Sequence, residues 1–583
     1  MDPGKAADAE AVELLRDSLS SGAGWSASMT EGSECYWSAI HLARLYGTDV
    51  LWGNLPPQLQ DLIEQRLWEF CSAHSTLAEA QDSVLRFPLS ENHNSHKRST
   101  VLITLEGMAR RGRLYGAESL LPDGHTVARH ATAWQGYWER FFTVWGSRGL
   151  TTEAGAPYYE HLTLSGYLNL RDLSNEPRVR VFADKFLRIL LADIAHEVLL
   201  PSGLRAGGAT RMYPDTSLTR GSVNNLSNHT YLLGWQDRIG GPNDTAVILA
   251  MSDFVQPDSI RSIATSRSAS FSYISGRLGR RGFGGSPPEM YALSEAEQHV
   301  RRSSWVTRSY VLGAYLFDQT LDYVAVVDQN RSASVMFAQD ENSRVIVFGC
   351  GNRSDLSSAT NCRIDGRAAI VGFAEPDILV AWKDVRAHRV ESNSTRVFVS
   401  ADVWSSVPRV DGVESSFQGW FVGETTDAFI GIRIAGPYEV ETKILDSNEP
   451  IDNGVVLRVE DEWAPVVIRT AEKRELPTRL HFHDELERGS FTYSSEVLEL
   501  SWFSAGIEHR ARVFPGTVDE PVVDSRTLRT DIAVFESPFL NGPVDGVYSI
   551  EGPSGSDQVR IGALPSAEST AIASDQAWVA SSF

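Results

Sequence analysis

The chain is poor in cysteine, poor in basic residues relative to acidic ones, and free of long apolar runs. Its four cysteines are Cys35, Cys71, Cys350 and Cys362. They are too few for a disulfide-built scaffold, and one pair in each half leaves two disulfides and buried free thiols equally open. No run of about 18 apolar residues occurs, so the sequence predicts no membrane span and no membrane partner. The first residues carry no hydrophobic signal core, which leaves two localisations open: cytoplasmic, or secreted with the signal removed.

The shortage of basic residues sets the net charge at −22, with 53 Lys and Arg against 75 Asp and Glu. Phosphate binding needs a basic footprint, so this balance argues against nucleic acid as the main partner. Basic residues such as Lys97, Arg98 and Arg277 could still form a local positive path for an anionic ligand. For the cluster Arg110 to Arg113, a solvated helix face is the preferred interpretation.

A chain of 583 residues is too long for one core and predicts two or three domains. Apolar residues recur at helical spacing through the first part of the chain, in the ranges 57–73, 95–112, 130–146, 160–174 and 178–199. Short connections between such segments predict antiparallel neighbouring helices. From about residue 305 the apolar period changes to two, in short runs such as Val345–Phe348 and Val397–Val399, which is typical of antiparallel strands.

Helices in one block and strands in the next indicate a multidomain α+β chain and not an alternating α/β fold. We predict a helical, catalytic domain over 1–304, an antiparallel β-sandwich over 305–565 and a polar tail over 566–583. The groove between the two domains, or over the mouth of the helical domain, is then the expected ligand site.

The first candidate for chemistry is Ser90-Glu91-Asn92-His93-Asn94, just before an amphipathic helix. An Asn amide hydrogen-bonds a carboxylate, and a neighbouring His serves as a base or as a second donor. The helix dipole favours an anion at the same place. Taken alone, these residues favour an ordinary helix cap.

Two later segments carry further candidates. Tyr158 and Tyr159 stand where a turn enters a helix, but a tyrosine ionises near pH 10 and needs a cation or polar network to act in catalysis. Arg211 and Tyr213 follow Gly207-Gly208 on a long polar segment, where an Arg fork could bind a carboxylate. Aromatic packing at a helix start also explains the two tyrosines. An ordinary flexible loop also explains Arg211 and Tyr213.

Other residues leave alternatives open. Trp138 belongs to an aromatic stripe with Trp134 and Trp145; such a stripe is mostly core, although one ring could face a sugar. His481-x-His483 places two His on one face of a strand, which leaves a divalent metal in the β-sandwich open without a ligand set to assign. A glycoside hydrolase would need two carboxylates, and several lie near the candidate motifs: Glu91, Glu153 and Glu160.

Taken together, the motifs resemble those of heparinase II/III-type proteins. The resemblance rests on Ser90-Glu91-Asn92-His93, on Glu153-x-x-x-Pro157-x-Tyr159, and on Gly207-Gly208-x-x-Arg211-x-Tyr213. It implies an α/α toroid followed by an antiparallel β-sandwich, and polysaccharide lyase chemistry on an acidic polysaccharide or oligosaccharide.

The resemblance also implies roles. Such lyases cleave uronic-acid polymers by β-elimination, which needs a group that neutralises the uronate carboxylate, a base for the C5 proton and an acid for the leaving oxygen. Asn92 would neutralise the carboxylate, and His93 would act as base or assist. Tyr159 would be the acid, with Tyr158 as a rival, and could also serve as base. Sugar orientation would fall to Arg211 and Tyr213.

Overall fold

The computed structural model describes most of the chain. The described residues are 9–21, 35–84, 86–88, 91–150, 155, 160–200, 204–210, 227–237, 246–278, 280–282, 290–293, 299–320, 331–338, 343–350, 370–386, 394–407, 409–410, 413–414, 417–441, 454–494, 496–532 and 534–561.

Most helices precede most strands. Within the described ranges the helices are α1 (Ala9–Ser21), α2 (Cys35–Gly47), α3 (Asp49–Gly53), α4 (Pro57–His74), α5 (Leu77–Gln81), α6 (Glu91–Arg111), α7 (Val127–Gly146), α8 (Glu160–Leu173), α9 (Pro177–Glu197), α10 (Ser227–Leu232), α11 (Ala246–Ala250), α12 (Asp258–Thr265), α13 (Ala401–Ser405) and α14 (Arg479–Arg488). The five helices predicted from periodicity are confirmed as α4 and α6–α9.

The strands of the described residues are short, as the period-two runs predict. They are β1 (Arg86–Pro88), β2 (Val198–Leu199), β3 (Leu204–Arg205), β4 (Ala209–Thr210), β5 (Phe271–Leu278), β6 (Arg280–Gly282), β7 (Met290–Leu293), β8 (His299–Val306), β9 (Tyr310–Phe317), β10 (Arg331–Phe337), β11 (Arg344–Cys350), β12 (Ile370–Glu375), β13 (Ile378–Lys383), β14 (Ser394–Ser400), β15 (Arg409–Val410), β16 (Val413–Glu414), β17 (Phe421–Glu424), β18 (Ala428–Ile434), β19 (Tyr438–Glu441), β20 (Gly454–Val459), β21 (Val466–Glu472), β22 (Ser490–Tyr493), β23 (Leu498–Ser504), β24 (Ile507–Val513), β25 (Val522–Val523), β26 (Arg526–Thr527), β27 (Phe535–Glu536), β28 (Leu540–Val544), β29 (Val547–Gly552) and β30 (Gly555–Arg560).

Local sequence explains where the main helices begin. Thr126 caps α7, its side chain accepting a hydrogen bond from the Arg129 N–H, and Glu176 caps α9 ahead of Pro177. The aromatic stripe of α7 then packs inward, with Trp134 and Trp138 both 0% exposed. Apolar spacing and capping together fix these helices in one core.

Helix α6 lies at the centre of the helical part, in contact with α2, α4, α7 and α8. Every residue from Glu91 to Met108 except His93 is buried, although the first half of the helix is polar. Because burying polar groups costs free energy unless they are hydrogen-bonded, a polar helix in this position needs partners along its whole length.

The described strands form antiparallel sheets. The largest runs β19-β20-β14-β11-β10-β9-β8-β5-β27-β28-β29-β30, with β4 paired to β10, and a five-stranded sheet runs β12-β13-β21-β18-β17. Residues from both sheets, among them Leu312, Val335, Leu379 and Ile468, share one apolar core, so these sheets pack against each other. Strands β22–β26 form another five-stranded sheet.

The fold is therefore mixed α+β, as predicted at that level. The large sheet includes β5 and β8, which begin before residue 305. The closed toroid stays a prediction, and the tail 566–583 lies outside the described residues.

The last strands return to the helices. Phe535, Leu540, Tyr548 and Ile550 belong to the same apolar core as the helical residues, and the Tyr548 hydroxyl donates to the Gly146 carbonyl at the end of α7. One wall of the helical core is therefore built from the other end of the chain.

Two sequence-based interpretations need correction or completion. His481 and His483 lie on helix α14 and not on a strand, because Thr478 caps a helix there. Across the described residues, no group of three His, Cys, Asp or Glu side chains could hold a metal ion.

Cys71 is a buried free thiol. None of the described helices combines the length and apolarity that crossing a membrane requires.

A buried ion-pair network joins the helical part to the large sheet. Asp193 and Glu197 on α9 face three guanidinium groups, those of Arg205 on β3, Arg277 on β5 and Arg302 on β8. The Arg205 Nη2 and Arg277 Nη2 atoms each lie 3.0 Å from Asp193 Oδ2. Glu160 on α8 also pairs with Arg205. The network therefore contains three anions and three cations.

Burial would by itself raise the pKa of Asp193, but the three arginines hold that pKa well below its usual range. The Tyr273 hydroxyl also donates to Asp193, and Ser304 Oγ donates to Glu197 Oε1 over 2.5 Å. Buried charges are tolerated only when paired and hydrogen-bonded in this way.

We expect Asp193→Asn to lower the free energy of unfolding by about 3–5 kcal/mol, because it leaves buried guanidinium groups without their counter-charge. Urea unfolding followed by circular dichroism measures this change. The control is Glu13→Gln, which breaks an ion pair with Arg16 whose side chains are 65% and 51% exposed and should change stability by less than about 0.5 kcal/mol. A wild-type stability for Asp193→Asn would contradict the role given to the network.

Candidate functional site

The site begins at the first turn of α6. Asn92 is 0% exposed, and its Oδ1 atom accepts a hydrogen bond of 2.7 Å from the His93 N–H. This bond fixes the orientation of the amide at the start of a long helix. Two residues on, Asn94 Oδ1 accepts a hydrogen bond from the Tyr137 hydroxyl over 3.0 Å. The amides of the motif are thus held in place by the surrounding structure.

The start of α6 packs directly on the start of α8. Ser95 Oγ donates to the Thr163 carbonyl over 2.8 Å, and His96 Nε2 lies 2.6 Å from the Leu162 carbonyl oxygen. Gly166 permits the approach, because a Cβ at that position would lie 2.1 Å from Ser95 Oγ and 2.6 Å from the Ser95 carbonyl oxygen. The first motif and the residues that follow the second are therefore in contact.

Histidines surround this contact. The rings of His161 on α8 and His229 on α10 lie 6.0 Å apart. Burial, together with the nearby His41 and His93, lowers the pKa of His96 to about 3. Burial also lowers the pKa of His229 to about 4 and that of His161 well below its usual value. At neutral pH these three imidazoles are therefore uncharged, and their lowered pKa values make them weak bases that act as hydrogen-bonding groups.

His229 has a further property. It is 1% exposed, and neither of its ring nitrogens has a hydrogen-bond partner within the described part of the chain. Since buried polar groups are normally hydrogen-bonded, this imidazole has room for a partner such as a water molecule or a ligand.

Arg205, two residues before the third motif, connects that part of the chain to the start of α8. Its guanidinium pairs with Glu160, the first residue of α8, and Glu160 Oε1 also accepts a 2.8 Å hydrogen bond from the Gly155 N–H. Gly207 and Gly208, which open the third motif, contact β8 and β9: a Cβ at Gly208 would lie 3.0 Å from the Ala314 Cα. Side chains near all three motifs thus converge on the starts of α6 and α8.

The predicted site residues divide into three groups. Asn92 and His93 lie in the described structure at this position. Four others lie outside the described residues, so their roles stay predictions: Tyr158, Tyr159, Arg211 and Tyr213. Trp138 is fully buried and packs on Tyr137, Phe141, Phe142 and Tyr167. Its ring has no face open to a sugar, which corrects the substrate-binding role considered for it.

The predicted positive path is also wrong where the structure describes it. Lys97 and Arg98 are buried and pair with Glu79 at 3.3 Å and 3.2 Å, and Arg277 is bound into the network around Asp193. These cations are buried and held by partners inside the protein, so they form no exposed positive path for a substrate.

Periodicity and motif spacing missed His161 and His229 as members of the site. His161 lies two residues after Tyr159, outside the second motif, and His229 taken alone suggests a structural histidine. Only their contact in space, across more than sixty residues of sequence, shows them as a pair.

The comparisons with known proteins add a distant likeness. No protein-family model matches the chain, and no curated protein matches it. Similar solved structures include heparinase III, at a TM-score of 0.37 and 7% identity over 86% of this chain and 79% of that chain. They also include the chondroitin AC lyase of Streptomyces coelicolor A3, at a TM-score of 0.33 and 10% identity over 96% and 88%.

A structure of the Streptomyces coelicolor A3 lyase in complex with chondroitin sulphate matches at a TM-score of 0.32 and 10% identity, over 95% and 88%. These neighbours are polysaccharide lyases. At such scores the likeness is a distant one of fold, and it assigns no role to a residue of this chain.

We expect Gly166→Ala to destabilise the protein by about 1–3 kcal/mol or more, since the new methyl group must push α8 away from the Ser95 backbone. Thermal unfolding measures the change. Gly136→Ala on α7 is the matched control: its Cβ meets only the Arg140 Nη1 atom, at 3.5 Å. That variant should be more stable by about 0.5–1 kcal/mol. Equal stability of the two variants would show that α6 and α8 are not closely packed here.

We expect stability to fall between pH 6.5 and pH 4. The pKa of His229 is about 4 in the folded chain and about 6.5 in an unfolded one, so protons bind the unfolded state first as the pH drops. Each such histidine contributes a slope of up to about 1.4 kcal/mol per pH unit. Urea titrations across this range should show a slope that is smaller for His229→Gln. The control is His481→Gln, at an exposed histidine. If it reduces the slope as much as His229→Gln does, the lowered pKa of His229 is contradicted.

Proposed function

We propose that the chain is a polysaccharide lyase that cleaves a uronic-acid-containing glycan by β-elimination, with Asn92 at the carboxylate of the substrate. One observation carries the proposal: residues next to the three motifs, far apart in sequence, meet at the starts of α6 and α8 through His96–Leu162, Ser95–Thr163 and Arg205–Glu160. The resemblance of the motifs to heparinase II/III-type proteins supplies the chemistry.

The reaction assigns one task to each group. Asn92 is 0% exposed in the ligand-free chain, so the proposal requires that it be uncovered when the substrate binds. Its amide then donates to the uronate carboxylate and makes the C5 proton more acidic. His93 or Tyr159 takes that proton, the electron pair forms the C4–C5 double bond, and the bond from C4 to the glycosidic oxygen breaks. Tyr159 protonates the departing oxygen. The neutral His161 and His229 supply imidazoles that can hydrogen-bond the sugar, and Arg211 and Tyr213 would orient it.

A hydrolase on the same scaffold would need two free carboxylates. Glu160 is occupied by Arg205 and by the Gly155 N–H, and it is 8% exposed. Its position in the buried network makes it a structural anchor. Glu160 is therefore excluded as one of the two hydrolase carboxylates. Glu91 is buried as well, at 1% exposed, and Glu153 lies outside the described residues, so analysis of the products decides between lyase and hydrolase.

We expect the wild-type protein, incubated with uronate polymers, to release products that absorb in the ultraviolet because of the new C4–C5 double bond. Asn92→Ala should lower kcat/KM by about 100-fold or more, the usual effect of removing one donor to a developing anion. Tyr159→Phe should remove the activity, because a phenyl ring can neither give nor take the proton. Product formation at the wild-type rate by Tyr159→Phe would exclude its assigned role.

Asn94→Ala is the matched control for Asn92→Ala. It removes a buried amide from the same helix turn, but one that is engaged by the Tyr137 hydroxyl. It should lower the free energy of unfolding, while kcat/KM should fall much less than it does for Asn92→Ala. Products without a double bond would instead indicate a hydrolase, and binding without turnover would indicate a non-catalytic glycan-binding protein.

A further inference from the structure

A cavity lies in the sheet region, and none of the residues of the helical site line it. It has a volume of about 260 Å³ and lies between strands β18, β21, β22 and β23 and helix α14. Pockets for drug-sized ligands begin at about 300 Å³, so this cavity suits a ligand of about one sugar ring.

Two guanidinium groups line this cavity, those of Arg433 on β18 and Arg469 on β21. Neither forms an ion pair with any residue in the described parts of the chain. Arg469 donates instead to backbone carbonyls, those of Asp377 and of Phe503. Burial lowers the pKa of both groups, yet guanidinium groups stay charged in proteins. Arg469 is buried, whereas Arg433 is partly exposed. Because Arg433 has no ion-pair partner among the described residues, it offers an anionic ligand an accessible cation.

The Arg433 guanidinium is held in one orientation. Its Cζ atom lies 3.9 Å from the centroid of the Phe491 ring and 5.8 Å from that of Trp420. Gly431 leaves the room for Trp420, since a Cβ there would lie 3.2 Å from the indole. Contact with the two rings restricts the guanidinium, and a guanidinium can make a two-pronged contact with a carboxylate.

The rest of the lining suits a sugar ring. Trp420 and Trp502 supply aromatic surface, and Gln418 supplies an amide at the rim. Gln418 and Gly419 form a tight turn with φ values of 49° and 82°, closed by reciprocal 2.8 Å hydrogen bonds between Phe417 and Trp420. The acidic member, Glu485, is engaged by Arg488 over 2.6 Å, so it adds little repulsion.

We propose that this cavity binds a uronate, a single carboxylate-bearing sugar, with Arg433 on the carboxylate and the aromatic residues beside the ring. The site is separate from Asn92 and needs no catalytic step. It would make the sheet region a second point of contact for an acidic glycan.

Isothermal titration of the full chain with glucuronate, at low ionic strength, tests the proposal. Glucuronate should bind at least tenfold more tightly than glucose, which has the ring without the carboxylate. Arg433→Gln should weaken glucuronate binding about tenfold or more, with a melting temperature that shows it is folded. Arg433→Lys keeps the charge and loses the fork, and should bind with intermediate affinity.

Arg512→Gln is the matched control. Arg512 also lies over an aromatic ring, that of Phe514, but its side chain is 55% exposed and outside the cavity, so binding should be unchanged. Equal affinities for glucuronate and glucose would overturn the proposal, as would undiminished binding by Arg433→Gln. Any binding of glucuronate at Asn92 would appear as a separate event that Asn92→Ala removes and Arg433→Gln leaves in place. Loss of all binding in Asn92→Ala, with full binding retained in Arg433→Gln, would place the ligand at the helical site and overturn the proposal.

Discussion

The charged contact between α9 and the large sheet holds the two halves of this molecule in register. Asp193 and Glu197 stand at the end of a helix, and their partners Arg205, Arg277 and Arg302 come from three different strands. An apolar interface tolerates small slips, whereas paired buried charges do not, because each displaced charge loses its counter-ion in a medium that cannot solvate it. The geometry of everything attached to α9 and to these strands depends on this arrangement.

The candidate site takes its shape from that constraint. Through Glu160 the network fixes the first residue of α8, and α8 in turn fixes the start of α6 through Ser95 and His96. The polar residues of α6 are thus buried at a junction that already is rigid. Groups that must act together on one substrate need such positioning, since small misplacements cost much of the rate. The contacts that stabilise this junction would also position the groups of the proposed reaction.

The sequence predicted the main helices and many strands because their apolar residues follow local periods. It could not predict the burial of Lys97 and Arg98, since a charged stretch on a helix is normally solvent-exposed and only long-range partners reverse that. Three residues were too few to separate strand from helix at His481 and His483. Asn92 and His93 were found through a family resemblance, whereas the meeting of His161 with His229 depends on tertiary structure that no local pattern encodes.

The return of β27–β30 to the helical core has a consequence for how the chain is made. The helices leave the ribosome first, but Phe535, Tyr548 and Ile550 complete their apolar core. At about 5–20 residues per second, roughly tens of seconds pass between synthesis of Gly146 and of its neighbour Ile561. During that interval the helices have an unfilled apolar wall. Until residues 535–561 are made, the helical part exposes apolar surface that favours aggregation.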